Sequence, residues 1–151
     1  MHSIVIRTGV LLAAAVVLGA FSDLDQSQLK LLKDPAGWDY IKMTSNGAIQ
    51  TEHTCFDGTP HPDECSGHLT LGTDDKFVQT VTIHGESVPR HGTYTLEDDQ
   101  LTFFDELETR DGPYTVKIDT QAKSLVMYMP QVRIELISHK AMLDKKRKER
   151  K

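Results

Sequence analysis

Across residues 37–139 apolar and polar side chains alternate with a period of two, in short segments divided by turn-forming residues. Successive side chains of a β-strand point to opposite faces, so this alternation constrains the fold more tightly than any other feature of the chain. Trp38 and Tyr40 alternate with Asp39, and Ile49, Thr51, His53 and Cys55 alternate with Gln50, Glu52 and Thr54, with the turn signal Asn46-Gly47 between the two runs. Further strands are predicted at 68–71, 76–84, 88–96, 101–104, 114–119, 125–129 and 132–139. They are separated by Thr73-Asp74-Asp75, Gly85-Glu86, Asp98-Asp99, Asp111-Gly112-Pro113, Asp119-Thr120-Gln121 and Met129-Pro130.

One dry face runs through these segments: Phe77, Val81 and Ile83, then Val88, Tyr94 and Leu96, then Leu101 and Phe103. It continues through Tyr114, Val116 and Ile118, then Leu125, Met127 and Met129, then Val132, Ile134 and Leu136, while the opposite face is mostly Thr, Lys, Asp and Glu. A dry and a wet face over successive hairpin-length connections describe an antiparallel meander, and closing the meander removes its exposed edges. The fold class expected is all-β: an eight- to nine-stranded antiparallel up-and-down meander closed into a barrel. A short helix precedes it over 23–35, where Leu24, Leu29, Leu31 and Leu32 sit among polar residues until Asp34-Pro35 stops the run.

Residues 1–22 hold one basic residue, Arg7, then an apolar run over 10–21 and the small residues Ala20 and Ser22. This is the pattern of a secretory signal peptide cut before Asp23, or after Ala20, with an uncleaved anchor as the alternative. The expected organisation is therefore 1–22 signal peptide, 23–35 helix, 36–139 barrel and 140–151 basic tail, in a secreted and periplasmic protein. The chain of 151 residues carries a net charge of −5, and duplex nucleic acid would demand the opposite sign. Residues 23–144 hold ten basic and twenty-one acidic residues, or −11, whereas 145–151 hold six basic residues and Glu149, or +5. Such a run is ordinarily solvated and disordered; the alternative is peripheral contact with an anionic surface.

The short helix leading into Gly37-Trp38, followed by hairpins such as GTYTLEDDQLTF at 92–103 and GPYTVKID at 112–119, resembles the small secreted lipocalin-like (calycin-type) proteins of bacteria. The resemblance implies a barrel with a mouth for a small apolar or amphiphilic molecule. Two further barrel families are similar in places. Cys65, Gly67 and Leu69-Thr70-Leu71 resemble the N-terminal barrel of copper-stress outer-membrane lipoproteins, and residues 24–38 resemble the segment before a Trp in secreted inhibitors of bacterial metalloproteases.

Inside such a barrel the wall residues expected to meet a ligand are Phe77, Tyr94, Phe103, Tyr114 and Met127, whose other role is plain core packing. Arg90 breaks the apolar face of its strand; pointing inward, it would need an anionic head group or an internal acid as partner. Residues 53–68 concentrate the remaining chemistry. Cys55 and Cys65 are the only cysteines, and an oxidising compartment favours a disulfide between them. A loop of that size would stabilise the fold by roughly 2–3 kcal/mol. The competing use of this segment is a metal site drawing on His53, His61 and His68, with or without the thiolates. Asp105, Glu106, Glu108 and Asp111 form an acidic connection that lacks the ligand spacing of a calcium hand, and His84 and His91 flank a turn as solvated strand ends. Phosphate-loop, dinucleotide, nucleophile-elbow and HExxH motifs are absent. The function expected is non-enzymatic binding without a cofactor; the alternatives are a protein-partner module, such as an inhibitor of a secreted hydrolase acting through 56–67 or the N-terminal segment, and metal binding in a stress protein.

Overall fold

A computed structural model of the chain describes residues 23–151, so the proposed signal peptide lies outside the described residues. The elements run α1 (Gln26–Leu32), β1 (Trp38–Asn46), β2 (Gln50–Thr54), β3 (Cys65–Leu71), β4 (Lys76–Ile83), β5 (Glu86–Glu97), β6 (Gln100–Asp105), β7 (Arg110–Asp119), β8 (Ser124–Met129), β9 (Val132–Ser138) and α2 (His139–Glu149). From β3 to β9 each strand pairs antiparallel with the next, β3 pairs with β1, and β1 pairs back onto β9. The result is a closed eight-stranded antiparallel barrel with β2 as an extra, ninth strand.

Strand β1 is the element that makes closure possible. One edge pairs with β9 along most of its length, from Trp38 opposite Ser138 to Ser45 opposite Val132. Its other edge is shared: Trp38 and Asp39 pair with Leu69 and His68 of β3, and Lys42 to Asn46 pair with β2. The Cys55–Cys65 disulfide joins the end of β2 to the start of β3, which holds the two half-length partners in line. Residues 56–64 are thereby pushed out of the sheet, as their two prolines and Gly58 require.

One end of the barrel is stoppered by α1, and among the described residues no helix lies over the other, the mouth. Asp25 and Gln28 form a reciprocal cap that starts α1. Leu32 is fully buried and its carbonyl accepts a hydrogen bond from the Trp38 indole at 3.1 Å, while the Gln28 amide donates to the Ile118 carbonyl at 3.0 Å. The helix therefore lies across the end made by the turns near 72–75, 98–99 and 120–123. At the opposite end lie the turns near 47–49, 84–85, 106–109 and 130–131. Val88, expected on the dry face, is 57% exposed, because the β4–β5 hairpin reaches past the rim and its inner side has no wall opposite.

The basic segment, expected to be solvated and disordered, is helical from His139 to Glu149, while its cationic side chains stay largely exposed. Ser138 caps it by accepting from the Ala141 amide at 3.2 Å, and Lys146, Arg147 and Lys148 sit where the helix dipole favours cations. Met142 anchors the helix in a second apolar cluster, outside the barrel, with Phe56, Ile137, Ile41 and Ala141. A register shift in β1 between Tyr40 and Lys42 leaves Ile41 as the extra residue, available to this outer cluster. Met142→Ala should release the helix at a cost of about 2 kcal/mol or more. Limited proteolysis should then cleave within 143–151 while the near-ultraviolet signal of Trp38 stays unchanged; a helix that remains protected would mean that Met142 is not its anchor.

Candidate functional site

Consecutive residues of β1 place two groups on opposite sides of the barrel wall. Trp38 and Tyr40 face inward and are buried, while Asp39 faces outward and is flanked by β3 and the start of α2.

The inward group lies beneath the open mouth. Tyr40 accepts a hydrogen bond from the Gln79 amide, and its ring packs over Gly67, where an added Cβ would approach within 2.7 Å. Gln79 stands opposite Arg90 in the β4–β5 register. The Arg90 guanidinium donates to Asp111 at 2.9 Å, and the Tyr114 hydroxyl donates to the other Asp111 oxygen at 2.7 Å. Arg90 thus has the internal acid its position calls for, and its charge also lies 5.9 Å from the centre of the Phe77 ring. Among the described residues its Nε finds no acceptor and is buried, although about a third of each side chain in the pair remains exposed toward the mouth. Apolar residues surround this polar layer: Met43, Val81, Met129 and Val132 pack against the core from the same end. A hollow of about 440 Å³ lies along the inner side of the β4–β5 hairpin, lined by Val81, Ile83, His84, Glu86 and Val88.

Of the wall residues expected to meet a ligand, Phe77, Tyr94, Phe103, Tyr114 and Met127 lie in one continuous buried cluster. The Phe77 and Phe103 rings meet edge to face at 4.8 Å, and Phe103 meets Tyr114 at 6.0 Å. These side chains occupy the interior between α1 and the polar layer, and the Tyr94 hydroxyl is bound to the Gly72 carbonyl at 2.5 Å, near the stoppered end. Only Arg90 and the hydroxyl end of Tyr114 reach the layer below the mouth. Tyr40, Gln79 and Asp111 belong to the same layer and escape sequence reasoning, because a polar residue on an apolar face is recognisable only once its cross-barrel partners are known.

The outward group is Asp39 with two imidazoles. His68 is the register partner of Asp39 on β3, and His139 opens α2 immediately after β9. The Nδ1 of His68 lies 2.7 Å from one Asp39 oxygen and the Nδ1 of His139 lies 2.8 Å from the other, with the two rings edge to face at 5.4 Å. Gly37, at φ +78°, allows this approach, since a Cβ there would sit 2.7 Å from His68 Nε2.

The three histidines of the 53–68 segment do not share a partner. His53 stacks edge-on to His84, His61 pairs with Asp57 at 2.8 Å, and His68 goes to Asp39. The cysteines are bonded to each other and offer no thiolate. His84 and His91 do not face one another: Glu86 stands opposite Ile83, and His91 stands opposite Val78 and pairs with Glu106 at 2.9 Å. The acidic connection is likewise dispersed, with Asp105 accepting from the Leu107 and Thr109 amides and Asp111 turned to Arg90.

Burial pushes the Tyr40 and Tyr94 hydroxyls up to about 12. Burial pushes Tyr114 higher still, reinforced by its hydrogen bond to the Asp111 carboxylate. A raised tyrosine favours the fold at every pH below the free value of 10, and that contribution is lost as pH climbs from 10 through the folded value. The barrel should therefore weaken above pH 10. A spectrophotometric titration near 295 nm should show three of the four tyrosines ionising late, together with loss of the fold. Four phenols titrating reversibly near pH 10 in folded protein would contradict the buried layer. No protein-family model, curated protein or solved structure matches this chain.

Proposed function

We propose that the protein is a secreted, lipocalin-like binding protein of the periplasmic type that takes a small amphiphilic molecule at the open mouth of its barrel. The observation that carries this reading is the polar layer of Arg90, Asp111 and the Tyr114 hydroxyl set beneath an apolar rim, with one buried guanidinium donor unused. A ligand with an anionic or hydrogen-bond-accepting head would supply the missing acceptor, and its apolar part would cover Val81, Ile83 and Val88. The filled interior below this layer supports a shallow site and a small ligand. An oxidising compartment is supported by the disulfide and by the leader-like composition of residues 1–22. The cationic end of α2 is suited to peripheral contact with an anionic surface.

A second reading, a protein partner, is favoured by one observation: Ile49 and Leu107 stand 78% and 87% exposed at loop tips on the mouth end. The two readings separate by mutation. Val81→Trp should fill the mouth and abolish the fluorescence enhancement of anilinonaphthalene sulfonate, an anionic apolar probe. Arg90→Met should weaken the probe roughly tenfold or more, the scale of one lost charged hydrogen bond. Ile49→Ser with Leu107→Ser should leave the probe unaffected. Probe binding that survives Val81→Trp, or is absent from the unmodified protein, would remove the small-molecule reading and leave the rim as a protein-docking surface.

A further inference from the structure

We infer that Asp39, His68 and His139 form a binding site for one divalent transition cation of the zinc class. Each residue offers one ligand atom, a carboxylate oxygen of Asp39 and a ring nitrogen of each imidazole, these atoms all lie within 4.8 Å of one another, and this is the one such group of three among the described residues. They come from three separate elements that the barrel holds in fixed register: Asp39 from β1, His68 directly opposite it on β3, and His139 from the first turn of α2. Around a zinc-sized ion with bonds of about 2.0–2.2 Å, ligand atoms stand about 3.0–3.6 Å apart. The two Nδ1 atoms stand 2.7 and 2.8 Å from the two different Asp39 oxygens, hydrogen-bond lengths that must open by a few tenths of an ångström to admit the ion. An ion entering between the three atoms replaces the two hydrogen bonds to Asp39, and each neutral ring carries its proton on Nε2 instead.

The donor set is chemically selective. Two imidazoles and one carboxylate are borderline ligands that suit zinc and its neighbours, whereas calcium and magnesium prefer oxygen alone. Three protein ligands leave at least one coordination position open. A hollow of about 230 Å³ borders Asp39 and His139, but not His68, with Ser66, Met142 and Lys146 also on its walls. All three ligand-bearing side chains are partly exposed, Asp39 least at 17%, so an ion reaches them without unfolding. This site lies on the outer wall and does not depend on the mouth binding a ligand.

The test is titration of zinc chloride into the full, disulfide-bonded chain in a non-coordinating buffer, followed by calorimetry and by nuclear magnetic resonance of the imidazole rings. The expected result is one equivalent bound at micromolar affinity or tighter, with the His68 and His139 rings shifting and the rings of His53, His61, His84 and His91 unmoved. His139→Gln should weaken binding roughly tenfold or more, and His61→Gln should leave it unchanged. The ring spectra of the unmodified protein decide the matter even if His139→Gln fails to fold. Saturation only at millimolar zinc, shifts confined to histidines other than 68 and 139, or an affinity indifferent to His139→Gln would each overturn the site.

Discussion

The pairing of β1 with β9 is the constraint on which the rest of the molecule depends. A nine-segment meander left open would present two unpaired edges; this ladder turns it into a barrel and leaves only the short β2 outside. Closure also fixes what each residue of β1 can do. Trp38 becomes the plug over which α1 sits, Tyr40 is committed to the polar layer below the mouth, and Asp39 is held on the outer wall between β3 and the start of α2. Both candidate sites therefore rest on adjacent residues of a single strand, and neither survives a slip of one residue in its register.

The distribution of polarity inside the barrel differs between its two ends. Toward α1 the interior is aromatic and aliphatic, closed by Leu32 and the Trp38 indole bond, with Leu69, Leu71, Leu101 and Leu125 fully enclosed. Each such side chain contributes about 1.5–3 kcal/mol of burial. Toward the mouth the layer of Gln79, Arg90 and Asp111 interrupts this packing. An ion pair there adds little net stability because its desolvation cost offsets the attraction, so the layer is better understood as chemistry placed where solvent and solute can meet it.

Much of this architecture is legible in the alternation of the sequence. The hairpins around Asp98-Asp99 and Gly85-Glu86, the helix ahead of Gly37-Trp38, and the Cys55–Cys65 pair all follow from local rules of turn chemistry, period and compartment. Contacts between distant segments do not. His68 draws notice through its position in a dense His/Cys stretch, yet its partners Asp39 and His139 lie 29 residues before it and 71 after it, and only the β1–β3 and β1–β9 registers bring the three together. The ordered α2 is similarly hidden: its cationic run reads as disordered until Met142, one turn earlier, is seen to have an apolar cluster waiting for it. Phe77, Tyr94, Phe103, Tyr114 and Met127 are correctly inward by alternation, but period alone does not tell a cavity wall from a filled core.

Native-state hydrogen exchange tests the closure most directly. If β1 is bonded on both edges, the amides of residues 38–44 and their partners in β9 should exchange only through global unfolding, among the slowest in the protein. Amides of β1 and β9 that exchange as fast as the 56–64 loop, while β4 to β7 stay protected, would show an open sheet and would dismantle both candidate sites at once.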